Sequence, residues 1–215
     1  MDDEYLSADV PISVLGSSYM AYLSGISEGK KVLEIGSREV SCKSTARETF
    51  ADYTGFDYYP GSNVDVVGDA HKLSEYFGQE FDIVYSAVVF EHLAMPWIVA
   101  IEISKVLKAG GIVFIATHFS FSAHERPWNF FQFSDLGLKA LFTPLGFECI
   151  EAGMTEPIVG RFSSLAQLEG PVVGLYCFST YLGRKVRDIP NFTWEGVTLE
   201  DVVGDTRYPV QDAAN

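Results

Sequence analysis

Short apolar runs, each punctuated by glycine and an acidic residue, recur through the first half of the chain. Lys31-Val32-Leu33-Glu34-Ile35-Gly36-Ser37 comes first, followed by Tyr53-Thr54-Gly55-Phe56-Asp57 and Val64-Asp65-Val66-Val67-Gly68-Asp69-Ala70. Phe81-Asp82-Ile83-Val84-Tyr85-Ser86 and Ile112-Val113-Phe114-Ile115-Ala116-Thr117 continue the series. Runs of this length and composition read as strands buried on both faces, as in a parallel sheet. The pattern predicts strands over 31–35, 52–57, 64–68, 81–86 and 112–117, with helices over 42–50, 70–77 and 95–108 between them. The helix over 95–108 shows a broad apolar face that includes Ile98, Ile101 and Val106. Lys105 and Lys108 fall in its last turn and Gly110-Gly111 ends it. Ser134 caps a helix over 135–145, and 147–152 and 172–181 read as two more strands. Ile12, Leu15, Met20 and Leu23 mark a short helix over 12–27 that covers the sheet. Strands alternating with helices predict an α/β fold with a doubly wound, mostly parallel seven-stranded sheet and helices on both faces.

In such sheets ligands bind outside the carboxyl ends of the strands, where strand order reverses. Asp57 stands about 20 residues beyond Gly36, the spacing of an acid that holds a ribose diol. Asp69 closes the third run in the same way. Taken singly, both also read as residues that form turns after strands.

A chain of 215 residues fits one domain with short extensions. We expect a lead and cap helix over 1–28, the main domain over 29–182 and an arm over 183–215. A formal net charge of −14 argues against broad binding to nucleic acid or anionic lipid. No apolar run reaches the ~18 residues that span a membrane. The acidic start Met1-Asp2-Asp3-Glu4 lacks the basic region of a secretory signal. Cys42, Cys149 and Cys177 are widely spread and odd in number. A reduced, cytoplasmic protein is expected. The polar end of the chain leaves a homo-oligomer open.

Val32-Leu33-Glu34-Ile35-Gly36-Ser37, Gly55-Phe56-Asp57, Gly68-Asp69-Ala70-His71, Phe81-Asp82-Ile83-Val84-Tyr85-Ser86, Phe90-Glu91-His92-Leu93 and Val106-Leu107-Lys108-Ala109-Gly110-Gly111 occur in this order. Together they resemble the class I S-adenosylmethionine-dependent methyltransferases, type 11-like, over about residues 30–152. That family has a Rossmann-like fold. Gly36-Ser37-Arg38-Glu39-Val40, Val64 to His71, and Arg126-Pro127-Trp128-Asn129-Phe130-Phe131-Gln132-Phe133-Ser134 are similar to a subgroup associated with cell-surface polysaccharide biosynthesis. The resemblance implies S-adenosyl-L-methionine as cofactor and a saccharide or glycolipid as acceptor. It places Glu34, Gly36, Ser37, Arg38, Asp57, Tyr58, Asp69, Ala70 and Ser86 at the cofactor. Gly36 lets the backbone approach closely, Asp57 takes the ribose hydroxyls, and Asp69 beside Ala70 takes the adenine amino group. Tyr58 lies on the adenine face and Ser86 near the methionine part. The chain departs from the family in having Gly36 as the one glycine of the first motif. Arg38 then either forks onto the cofactor carboxylate, or pairs with Glu39 or Glu48, or faces solvent.

A hydroxyl nucleophile needs a proton acceptor, and histidine is the side chain poised near neutral pH. His118, directly after the fifth strand, is the first candidate base, with His92 and Glu91 behind it. His124, Trp128 and Phe130 lie in a long aromatic loop over 118–133 and are candidates for contact with the acceptor. His71 reads as structural. The carboxylates and histidines show no metal-ligand spacing, so methyl transfer without a metal is expected. Three readings stay open: O-methylation of a saccharide or glycolipid with a His general base, methylation of another small molecule such as a natural product or amine, and a non-catalytic cofactor-binding or scaffold protein. A nicotinamide dehydrogenase would need the Gly-x-Gly-x-x-Gly turn that Gly36 to Ser41 does not supply.

Overall fold

A computed structural model describes residues 13–40, 43–161 and 172–203. Residues 1–10, Cys42 and the end of the expected arm lie outside the described residues. Seven strands form one sheet: β1 (Lys31–Ile35), β2 (Asp52–Asp57), β3 (Val66–Val67), β4 (Phe81–Ala87), β5 (Leu107–His118), β6 (Phe147–Gly160) and β7 (Val172–Lys185). Their order is β3-β2-β1-β4-β5-β7-β6. The first five are parallel, and β7 runs antiparallel to both of its neighbours. Strand order reverses between β1 and β4, so the carboxyl ends of these two strands flank the crevice where a ligand is expected.

The apolar runs are long enough to be buried on both faces, and the period of two divides them between two cores. Leu33, Ile35, Phe56, Val84, Val113 and Ile115 face α4 (Pro96–Val106) and α5 (Asp135–Phe142). Val32, Ile83, Tyr85 and Phe114 face α1 (Tyr19–Ile26), whose Leu23 is fully buried, and also Ala46 and Phe50. The expected cap helix therefore covers the sheet as predicted. Its Tyr19 ring stacks on Phe114 with centroids 4.7 Å apart. Ser134 caps α5 by accepting from the Gly137 N–H.

Several boundaries move. The helix expected over 42–50 is a single turn, α2 (Ala46–Thr49), and the strand over 64–68 shrinks to β3. The helix over 70–77 is a 3₁₀ turn at Ala70–Lys72 running into α3 (Leu73–Tyr76). Lys108 lies in β5, not in the last turn of α4, because Leu107 is already extended. Gly110, with φ +80°, then bends the start of the strand. The last two strands run far past the expected ends because β6 and β7 pair with each other along almost their whole length. Beyond Lys185 the chain returns to the body. Phe192 packs on the α4 core, and the Trp194 indole N–H donates to the Trp97 carbonyl before a last turn, α6 (Leu199–Val203).

Candidate active site

The first part of the site is the loop leaving β1. Gly36 has φ +82°, and a Cβ there would lie 2.1 Å from the Val89 side chain, so no other residue fits the turn. The Gly36 and Ser37 N–H groups both donate to the Phe56 carbonyl, tying this loop to β2. Asn63 holds it from below, donating to the Ser37 carbonyl and to Tyr53 Oη. Tyr53 in turn donates a short hydrogen bond to the Glu34 carboxylate. Burial drives the Glu34 carboxyl above its usual range, against opposing hydrogen bonds from Tyr53, Tyr85 and Asn63. Glu34 thus braces the loop from the β1 side. Tyr53, Asn63 and Tyr85 are supports that sequence reasoning missed, because none belongs to a recognisable motif.

Asp57 ends β2 as expected. One carboxylate oxygen accepts from the Tyr59 N–H at 2.9 Å and the other from the Arg38 N–H at 3.3 Å. The Arg38 guanidinium lies over the same carboxylate, with Nε 3.4 Å from Oδ1. Its far end is 5.5 Å from the centre of the Tyr59 ring. Arg38 therefore pairs with Asp57, not with Glu39 or Glu48. Asp57 is the nearest carboxylate on the same strand edge, whereas Glu39 is turned to the Ser44 N–H. Asp69 caps the 3₁₀ turn at Ala70, accepting from both the backbone N–H and the ring Nδ1 of His71. Burial pushes its carboxyl up, but these two hydrogen bonds prevail and hold it below the usual range. The other ring nitrogen of His71 accepts from the Met95 N–H, so His71 clamps Asp69 to the start of α4. Tyr58 is exposed beside Asp57. Ser86 and Ser37 depart from expectation. The Ser86 hydroxyl turns back to the Ile35 carbonyl, because the side chain faces the sheet interior. Ser37 Oγ is buried toward Gly55.

The second part lies across β4 and β5. Glu91, in the 3₁₀ turn after β4, is fully buried, and its Oε2 accepts from the Thr117 hydroxyl at 2.5 Å. Its Oε1 lies 2.7 Å from His118 Nδ1, close enough for strong attraction yet out of line for a hydrogen bond. Burial raises the Glu91 carboxyl, but His118 and Thr117 outweigh it and hold the group below the usual carboxylate range. His118 is itself buried at the end of β5, with its ring between Phe121 (4.3 Å, nearly parallel) and Phe178 (5.1 Å). His92 and His124 complete the group: the His124 ring is 4.9 Å from that of His92 and 5.2 Å from that of His118. The aromatic loop folds back to make this arrangement. Phe130 N–H donates to the Glu91 carbonyl, and Trp128 O meets His92 Nδ1 at 2.8 Å. That fold-back brings together carboxylate and histidine side chains whose positions along the sequence show no metal-ligand spacing. Glu91, His92 and His124 each place one donor atom within 4.8 Å of the others. Trp128 and Phe130 stand exposed with rings 6.2 Å apart, clear of the core.

Beside this group a cavity of about 530 Å³ opens at the carboxyl ends of β4 and β5. It is lined by Tyr19, Ala87, Val88, Ala116, Phe178 and Thr180, among others. The part of the wall supplied by β6 and β7 carries no motif and was missed from the sequence.

Residues 33–115 match the family described as Methyltransferase domain. No curated protein matches the sequence. Among solved structures, a SAM-dependent methyltransferase from Archaeoglobus fulgidus superposes with TM-score 0.56 at 15% identity, covering 80% of this chain and 93% of that one. The cyclase SpnF superposes with TM-score 0.57 at 16% identity, covering 84% and 86%. The methyltransferase CalH in complex with SAH gives 0.55 at 14%, covering 78% and 54%. These likenesses establish the fold. The matched stretch, residues 33–115, resembles a methyltransferase domain, and two of the similar structures are methyltransferases that depend on SAM or hold SAH, so S-adenosylmethionine is the donor to test against this site. The residues present fit that donor. Arg38 Nε is buried without a hydrogen-bond partner directly beside the Asp57 carboxylate, an arrangement that a ribose hydroxyl placed between them would satisfy. Among the described residues no helix is long and apolar enough to cross a membrane.

Proposed function

We propose that this methyltransferase domain methylates a hydroxyl oxygen of a saccharide or glycolipid, with His118 as general base. The observation that carries the reading is the buried Glu91–His118 pair at 2.7 Å, set at the end of β5 beside the cavity. A carboxylate that close to Nδ1 keeps the ring proton on that side and leaves Nε2 as the proton acceptor. Phe121 and Phe178 fix the ring between them and exclude water. Asp57 and Asp69 would hold the ribose and adenine of the cofactor, and Gly36 would let the backbone approach its methionine part. S-adenosylmethionine, when bound, supplies a methyl group already activated on a sulfonium, so the protein's work is binding, alignment and removal of one proton. The exposed Trp128 and Phe130 offer faces on which a sugar ring can rest.

A second reading has its own support. The cavity wall is mostly apolar, with Tyr19, Ala87, Val88, Ala116 and Phe178, which suits a natural product or amine as well as a sugar. Methyl uptake from labelled S-adenosylmethionine, measured over panels of glycolipids, sugar nucleotides and apolar small molecules, separates the two. Uptake by saccharide hydroxyls that is lost in His118→Ala supports the proposal. Uptake confined to apolar or amine acceptors supports the second reading. Cofactor binding with no uptake from any panel overturns both in favour of a scaffold role.

A further inference from the structure

We infer that Glu91, His92 and His124 form a binding site for one divalent transition-metal ion of the zinc class, beside His118 at the end of β5. Three features of the group point to it. Their donor atoms lie within 4.8 Å of one another, although Glu91 and His92 follow β4 and His124 lies in the loop after β5. Glu91 is fully buried, and its Oε1 faces both His118 Nδ1 at 2.7 Å and His92 Nε2 at 3.9 Å. A buried carboxylate is costly to keep ionised unless cations or donors gather round it.

The outer contacts match those that orient metal ligands. His92 Nδ1 faces the Trp128 carbonyl at 2.8 Å and His124 Nδ1 faces the Ser122 carbonyl at 3.0 Å. A carbonyl accepts only from N–H, so each ring carries a proton on Nδ1, and Nε2 is the ring atom that can ligate an ion. Imidazoles held in this way by a backbone carbonyl on the far nitrogen are the usual form of a histidine ligand. Glu91 is held in place by Thr117 through its other oxygen. Two imidazoles and one carboxylate suit zinc or a neighbouring divalent ion, and they leave a position open for a water or an acceptor oxygen. Donors bound at ~2.0–2.1 Å around a tetrahedral ion stand about 3.4 Å apart. The gap from 4.8 Å closes with small rotations of His92 and His124, both of which are only partly buried. The carboxylate of Glu125, 3.8 Å from His92 Nε2, is within reach as a fourth donor.

This inference does not depend on which acceptor is methylated, and its test does not read methyl transfer. Full-length protein, stripped with a chelator and dialysed, is titrated with Zn²⁺ by calorimetry and with Co²⁺ by visible absorption. The site predicts one equivalent bound, with a Co²⁺ spectrum of a low-coordinate nitrogen–oxygen site. In His124→Ala and His92→Ala the metal affinity falls about tenfold or more, while S-adenosylhomocysteine binding reports that the fold is intact. Both substitutions fall at partly exposed positions, so folding is not at stake. No saturable binding by the wild type, or equal affinity in the two variants, overturns the assignment. The O-methylation reading would stand in either case.

Discussion

The two halves of the site are built in opposite ways. On the β1–β2–β3 side every strong contact is local. Asp57 meets Arg38 and Tyr59, Asp69 meets its own 3₁₀ turn, and Asn63 holds the loop that passes above it. On the β4–β5 side the contacts join distant segments. Glu91 meets Thr117 and His118, the loop over 118–133 closes back on Glu91 and His92, and the cavity wall comes partly from β6 and β7. Polar groups on the first side are mostly satisfied within the protein, with the Arg38 Nε–H and Ser37 Oγ left over. On the second side a buried carboxylate oxygen and a buried imidazole nitrogen face each other at 2.7 Å without an aligned hydrogen bond. A cofactor shared by a whole family can be held by a local motif. An acceptor particular to one enzyme is met by residues that the tertiary fold alone brings together.

The comparison predicts that the largest single loss comes from the local side. On the proposed cofactor placement, Asp57→Ala would remove two charge-assisted hydrogen bonds to a ribose, each worth about 1.5–3 kcal/mol. S-adenosylhomocysteine affinity should fall roughly 100-fold or more by calorimetry. An unchanged Kd would show that the cofactor does not rest on this strand edge. Next comes Glu91→Gln, which keeps the shape but not the charge. We expect it to abolish most methyl transfer with cofactor affinity intact, and to cost about 1–3 kcal/mol of stability at neutral pH. The Glu91 carboxyl is held below its unfolded value, so its stabilisation is complete above about pH 4.3 and is lost as pH falls through the lower folded value. The stability gap between wild type and Glu91→Gln should therefore narrow in acid. A gap that widens in acid would mean the native carboxyl is not held ionised.

The same division explains what could be read in the sequence. Parallel strands are buried on both faces, so β1, β2 and β4 show as dense apolar runs, and β2 was placed to the residue. Asp57 and Asp69 follow such runs directly, and their position at the carboxyl edge comes with the strand. β3 was overestimated because two paired residues leave little pattern. Lys108 was misplaced because an amphipathic helix and the bent start of a buried strand are both apolar-rich at Val106–Leu107. The His92–His118–His124 group was legible as three candidates and not as a cluster. Its geometry depends on a loop folding back through backbone hydrogen bonds to Glu91, which no periodicity encodes. Arg38 was legible as a departure from the glycine-rich motif, but Asp57 as its partner depended on the curvature of the loop.

Arg38 sharpens the comparison because it is a charged group on the local side with an unmet donor. Its side chain is about a third exposed, so solvent weakens its pairing with Asp57. We expect Arg38→Ala to weaken S-adenosylhomocysteine binding about 3- to 10-fold, well short of Asp57→Ala, with melting temperature nearly unchanged. A loss equal to that of Asp57→Ala would make the guanidinium a principal cofactor ligand. No loss at all would make it a cover over the carboxylate.

The smallest expected effect lies under the same loop. Glu34 is buried between Tyr53, Tyr85 and Asn63, and burial carries its carboxyl above the usual range in spite of their hydrogen bonds. The folded state then holds this proton more tightly than the unfolded chain. Wild-type stability from this group falls as pH rises from about 4.3 to the higher folded value, the reverse of Glu91. Glu34→Gln removes the titration while keeping an oxygen that accepts from Tyr53. Its stability at neutral pH should match or exceed wild type, within about 1 kcal/mol, and the advantage should vanish in acid. Denaturant midpoints relative to wild type, measured at neutral and acid pH for Glu34→Gln beside Glu91→Gln, should move in opposite directions. If both midpoints move together, the two carboxylates have the same electrostatic role and the contrast between the local and assembled halves fails at its charged centre.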